Sequence, residues 1–251
     1  MPSAPNEDRQ LALTRAVSVQ TYARIAGILL LLSLVAGGFG EAYVPSKLIV
    51  SSNATATAQN IKAFESLFRM GFAGYLIEAV CDIALSLILY VLLRPVRKDI
   101  ALLAAFFGLL GTAVFATSEL FYLAPSLILG GGDYLKTFDP GQLNTLGLLS
   151  FKMFMCGGAM FTVFYGVAWV LRGYLILRSG YLPKFLGVLM TLGGLAFIAR
   201  NFLLVLAPAY APGSLLLLML PGGLALPLWL LFRGVDVRKW EVTAATSDVN
   251  L

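Results

Sequence analysis

The sequence predicts an all-α fold, a polytopic transmembrane bundle of six helices with cytoplasmic N- and C-termini, on three observations. Six apolar runs fill most of the 251 residues, and each is long enough for a hydrocarbon core that takes about 20 residues of helix. The chain is 59 % hydrophobic and 12 % charged, whereas a soluble domain is about 25 % charged. The connections between runs alternate between Lys/Arg-rich and Lys/Arg-poor, the pattern that retention of basic residues on the cytoplasmic side produces.

The runs are Ile25 to Tyr43, Met70 to Leu93, Ile100 to Ala124, Gln142 to Leu171, Phe185 to Leu206 and Ser214 to Phe232. The first follows a polar stretch with Glu7 and Asp8, so it reads as an uncleaved helix and not as a signal peptide. One side of the membrane collects Arg9, Arg15, Arg24, Arg94, Arg97, Lys98, Arg172, Arg178, Lys184, Arg233, Arg238 and Lys239, which is 12 of the 18 basic residues. The other side has Lys47, Lys62, Arg69 and Lys136. The expected organisation is a cytoplasmic segment 1–23, a transmembrane domain 24–233 and a disordered cytoplasmic tail 234–251 in which Trp240 is an interface residue.

The first outer loop carries a helical pattern of its own, about residues 55–69, with Ile61, Phe64 and Phe68 at i, i+3 and i+7 and Glu65 one turn before Arg69. That spacing predicts an amphipathic helix on the outer surface, as an interfacial anchor or a lid. Asn53, Ala54 and Thr55 form a weak glycosylation triplet. Each outward-going helix ends in an ionisable residue followed by proline (Glu41 and Pro45, Glu119 and Pro125, Arg200 and Pro208). Three successive hairpins, or topology alone, would account for this.

Six charged residues, Glu41, Glu78, Asp82, Glu119, Lys152 and Arg200, fall inside the runs. An ionisable group in hydrocarbon is costly and marks a functional site by default. On the second run Gly71, Gly74, Tyr75, Glu78, Asp82 and Ser86 share one helical stripe, a face turned to protein or water. On the third, Ala104, Gly108, Thr112 and Ala116 form a small-residue row that Glu119 continues. On the fourth, Thr145, Lys152, Cys156 and Ala159 share a face, and the fifth carries Arg200 beside Asn201. Counted at about 1.5 Å per residue from the cytoplasmic ends, all but Asp82 lie in the outer part of the membrane, so the charges form one layer. Four carboxylates against two bases, with Glu78 and Asp82 one turn apart, predict a protonated acid or a cation completing the site. A structural ion-pair network is the alternative.

Absences narrow the chemistry. The chain has no histidine, which removes His-ligated metal and haem and every Ser-His or Cys-His nucleophile. No cofactor or metal set is read, and no basic patch interleaved with aromatics points to nucleic acid. Cys81 and Cys156 read as small packing residues. Two acids on adjacent turns of one helix are poorly placed to flank a scissile bond, so enzymatic activity is not expected.

Three stretches carry a resemblance: Ala23 to Val50, Phe68 to Ala105 with the run LIEAVCDIALSLILYVLLRPVRKDIALLAA, and Gly173 to Met190 with GYLILRSGYLPKFLGVLM. They resemble bacterial membrane proteins of the family called domain of unknown function 4386. The resemblance covers nearly all of the six-span region and implies that Glu41, Asp82, Tyr181 and Pro183 belong to the family pattern. It implies no activity. Two roles follow as expectations for a multi-pass protein of the cell membrane. One is binding of a small molecule or lipid at the charge layer, as in a proton-coupled carrier. The other is an accessory or sensory subunit, with unnamed protein partners, whose charges hold its helices together.

Overall fold

The computed structural model describes residues 4–207, 210 and 213–249, with side chains from Val19 onward except those of Leu216, Asp248 and Val249. Among these residues every regular element is helical: α1 (Ala4–Gly37), a π-helical turn (Gly38–Tyr43), α2 (Val44–Leu48), α3 (Ala54–Ala63), α4 (Glu65–Leu93), α5 (Lys98–Ile128), α6 (Pro140–Ser179), α7 (Lys184–Leu206), α8 (Met219–Phe232) and α9 (Val237–Val249), with short 3-10 turns at Asp133–Leu135 and Gly213–Leu218. Six segments are long and apolar enough to cross a membrane: Val19–Leu48, Glu65–Leu93, Lys98–Ile128, Pro140–Ser179, Lys184–Leu206 and Gly213–Phe232. The protein is an all-helical, multi-pass membrane protein.

The chain divides into two compact units. Unit 1 comprises the chain up to Leu31, Asp82–Leu109 and the chain from Val163 onward; unit 2 comprises Leu32–Cys81 and Leu110–Thr162. The division falls within continuous helices, so α1, α4, α5 and α6 each contribute to both.

Unit 1 has an aliphatic core in which Leu85, Leu89 and Leu92 of α4 meet Trp169 and Ile176 of α6, Met190 of α7 and Leu230 of α8. Apolar packing alone does not draw helices together in lipid, so close backbone approach matters. Here α6 and α7 cross through glycines seven residues apart on each helix. A Cβ at Gly187 would lie 2.7 Å from the Gly173 carbonyl oxygen, and one at Gly194 would lie 2.6 Å from that of Gly166. The last four carbonyls of a helix need partners from outside it. In α4 the Leu92 carbonyl accepts from the Tyr181 hydroxyl at 2.7 Å and from the Trp240 indole at 2.9 Å. Burial raises the Tyr181 phenol above its ordinary pKa, which keeps it a donor. At the end of α8, Gln20 donates to the Arg233 carbonyl and accepts from the Val235 amide, over Gly234 at φ +69°.

Several expectations change. The tail expected to be disordered holds α9, because Trp240 is buried and bonded and Asp236 accepts from the Lys239 amide at its start. The amphipathic helix expected over 55–69 is interrupted at Phe64 (φ −123°, ψ 42°), which ends α3 and leaves Phe64 exposed while Ile61 and Phe68 are buried on different helices. Asn53 is the N-cap of α3, accepting from the Ala56 amide at 2.9 Å. Thr57 and Asn60 bond back to Val50 and Leu48. The expected Glu65 to Arg69 pair forms at 2.7 Å. Pro45 lies in the first turn of α2, where a missing N–H costs little, and Pro125 lies inside α5. Neither proline stops its helix as the hairpin pattern supposes, and Pro208 is outside the described residues.

Candidate functional site

The site is built in unit 2 around Tyr75 of α4. Small residues bring backbones together beside it. A Cβ at Gly40 would lie 2.8 Å from the Gly71 carbonyl oxygen and 3.1 Å from the Tyr75 ring, one at Gly74 would lie 2.8 Å from the Ala36 carbonyl oxygen, and one at Gly37 would collide with the Glu78 carboxylate. The close crossing of α1 and the π turn over α4 therefore sets where Glu41 and Glu78 lie. Single π turns widen a helix by one residue and occur often at functional sites. This one presents Glu41 as an exposed residue.

Aromatic rings close the other sides. Tyr75 is fully buried and meets Tyr122, Phe154 and Phe115 edge-on at 5.0, 5.2 and 5.3 Å between centroids. Tyr122 stacks on Phe68 at 4.6 Å and donates to its carbonyl at 3.3 Å. Three carboxylates, Glu41, Glu78 and Glu119, act electrostatically on the Tyr75 hydroxyl. Glu119 is 2 % exposed. Among the described residues neither the Tyr75 hydroxyl nor Glu119 Oε1 has a hydrogen-bond partner. Two buried polar atoms without partners, facing two further acids, are expensive to maintain unless something else completes them.

The remaining candidates lie elsewhere. Asp82, 3 % exposed, is in unit 1, where it and Tyr165 are both electrostatic neighbours of the Arg172 guanidinium. Arg172 is itself 4 % exposed, and its guanidinium and the Ser86 hydroxyl occupy the space that a Cβ on Gly108 would take. Arg200 and Asn201 are also in unit 1; Asn201 is buried and donates to the Phe197 carbonyl, whereas Arg200 Nε has no hydrogen-bond partner among the described residues. Lys152 is exposed on α6. Of the charged candidates, Glu41, Glu78, Glu119 and Lys152 thus fall in unit 2, the three acids around Tyr75, and Asp82 and Arg200 fall in unit 1. The small-residue row on α5 is buried at Ala104, Gly108 and Thr112 but exposed at Ala116. Steps of four residues drift around a helix, and Phe115 continues the buried face to Glu119.

Arg172 and Tyr122 are the residues that sequence reading missed. Arg172 passes for a basic helix end, yet the apolar run continues through Tyr174, Leu175, Ile176 and Leu177, and α6 extends to Ser179. That continuation was the available signal. Tyr122 was one aromatic among many; the sign of its role is the spacing of three after Glu119, on the face that Phe115 and Glu119 share. Cys81 is buried, as a packing residue would be, but Cys156 is exposed. Among the described residues no group of three or more Cys, Asp or Glu is arranged to hold a metal ion.

The model of a family described as Domain of unknown function (DUF4386) matches residues 25–234. An uncharacterised protein of the archaeon Archaeoglobus fulgidus is 26 % identical over 125 residues, a stretch that covers 50 % of this chain and 61 % of the archaeal one. No solved structure matches.

Proposed function

Because the chain belongs to the Domain of unknown function (DUF4386) family, whose description assigns no activity, we propose a function from the site itself: binding of a small organic cation, in competition with protons, at Glu41, Tyr75, Glu78 and Glu119. The observation that supports this reading is that Glu41, Glu78 and Glu119 all lie within electrostatic reach of one buried phenol that is itself surrounded by aromatic rings. Carboxylates attract a cation, and ring faces hold it once it has shed water, each such contact contributing about 0.5–2 kcal/mol. Protonating the acids removes the attraction, so bound cation and bound proton exclude each other. That exchange is the elementary step of a proton-coupled carrier.

The test compares wild type with Glu119→Gln at matched folding. Mass spectrometry identifies small molecules that stay with the purified protein, and labelled tetraphenylphosphonium measures cation binding directly. Wild type retains a cation that the variant loses, and probe binding weakens as the medium is acidified. Equal probe binding by both proteins at every pH would reject the reading.

Membrane and orientation belong to the same proposal: a bacterial cell membrane with both termini cytoplasmic, supported by the basic residues that remain on one side once buried Arg172 is taken from the 12, 11 against four on the other. Maleimide added outside intact cells should label Lys62→Cys and leave Arg178→Cys unlabelled. The reverse pattern would invert the topology.

For unit 1 the second reading, internal ion pairing that joins helices, is the better one. It is favoured by two buried opposite charges, Asp82 and Arg172, within electrostatic reach of each other in that unit.

A further inference from the structure

An open groove of about 580 Å³ runs along the surface of unit 2 between α5 and α6. Leu149, Lys152, Met153, Cys156 and Met160 line one wall, at offsets that place them on one face of α6, and Ala113, Thr117 and Phe121 line the other. The two hydroxyls within it, of Thr117 and Ser118, both donate at 2.8 Å to carbonyls of their own helix, Ala113 and Val114. They add little polarity. Lys152 is the remaining polar group, and among the described residues it has neither an ion-pair nor a hydrogen-bond partner.

An ammonium within a membrane-spanning helix, flanked by exposed Leu149, Met153 and Met155, requires a counter-charge or water. The groove supplies neither from the protein. Its direction matters. Lys152 is 12 residues from the start of α6 at Pro140, about 18 Å, whereas Met160 at the other end of the groove is near the middle of that helix. The charge therefore lies toward the membrane surface and the apolar trough toward the midplane, which is the polarity of a lipid. We propose that this groove binds an anionic phospholipid, with its phosphate on the Lys152 ammonium and one acyl chain laid between α5 and α6 toward Met160. About 12 Å of trough beyond Lys152 accommodates the upper half of a chain. The site is separate from the acid cluster and does not depend on it.

The test uses the full chain in nanodiscs of phosphatidylcholine with phosphatidylglycerol, followed by native mass spectrometry. Wild type retains one phosphatidylglycerol in preference to phosphatidylcholine by about fivefold, the ratio that one lysine–phosphate contact supplies. Lys152→Leu abolishes that preference, and Ala113→Phe, which fills the trough, abolishes retention of either lipid. Undiminished preference in Lys152→Leu would overturn the proposal. A lipid-free dimer would do so too and would assign the groove to a second copy of the chain. Cys156, exposed in the trough, provides a readout from wild type alone, with buried Cys81 as internal control. Phosphatidylglycerol slows its alkylation by N-ethylmaleimide and phosphatidylcholine does not. Equal rates in the two lipids would also overturn the proposal.

Discussion

Glu78 and Asp82 lie one turn apart on α4, yet they belong to different units and have opposite surroundings. In unit 1 Asp82 is buried within electrostatic reach of the buried Arg172 guanidinium. In unit 2 Glu78 shares Tyr75 with Glu41 and Glu119, among rings. A buried carboxylate within reach of a base can help to hold helices, whereas acids gathered around one phenol, of which Glu119 is buried, Glu78 half-buried and Glu41 exposed, repel one another and favour a cation or proton that relieves them. The proposed binding role for Glu78 and the proposed pairing role for Asp82 thus fall on neighbouring turns of a single helix.

The largest expected effect breaks the structural half. Arg172→Met leaves the Asp82 carboxylate buried without its cation and should destabilise by about 3–5 kcal/mol. Adding Asp82→Asn should return most of that loss, measured by thermal unfolding in detergent. Additive losses would mean that the two charges do not interact. Next, Gly194→Val forces a side chain against the Gly166 carbonyl and should cost about 1–3 kcal/mol. A variant as stable as wild type would show that α6 and α7 do not need this approach. Smaller again is Tyr181→Phe, which deletes one of two donors to the Leu92 carbonyl. A loss of about 1 kcal/mol is expected, with faster proteolysis of α9 as the local readout.

In unit 2 the sign should reverse. Glu119→Gln removes one of three like charges, so unfolding stability should hold or rise, while cation binding falls about tenfold, the loss of one charged contact. A Glu119→Gln protein that unfolds as readily as Arg172→Met would erase the distinction between the units. The smallest effect concerns α9. The Lys239 backbone N–H, and then the Lys239 ammonium, hold the Asp236 carboxyl below its ordinary pKa. A depressed acid stabilises above its unfolded pKa of about 3.9 and loses that contribution as pH falls through its lower folded value. Fraying of α9 should therefore appear only below roughly pH 4, and Asp236→Asn should remove the pH dependence.

Much of the site was legible because helical periodicity is a local property. The stripe of Gly71, Gly74, Tyr75, Glu78, Asp82 and Ser86 on α4 is buried or half-buried throughout. On the face that Thr145, Lys152, Cys156 and Ala159 share, the first three are exposed and Ala159 is half-buried. Lys152 opens onto the α5–α6 groove. Periodicity says which residues share a face but not what that face meets.

Hydropathy and charge along the chain were enough for six membrane-spanning segments, for the all-helical class and for the buried stripe that carries the acids, because each depends on neighbours within a few turns. Which acid lies near a base, where Arg172 reaches, which rings surround Tyr75, and that Trp240 and Tyr181 share one carbonyl are decided by residues 40 to 148 positions apart. Those pairings depend on which helices pack together and at which glycines they cross. A charge in a low-dielectric interior is defined by its nearest partner, and that partner is a property of the folded chain.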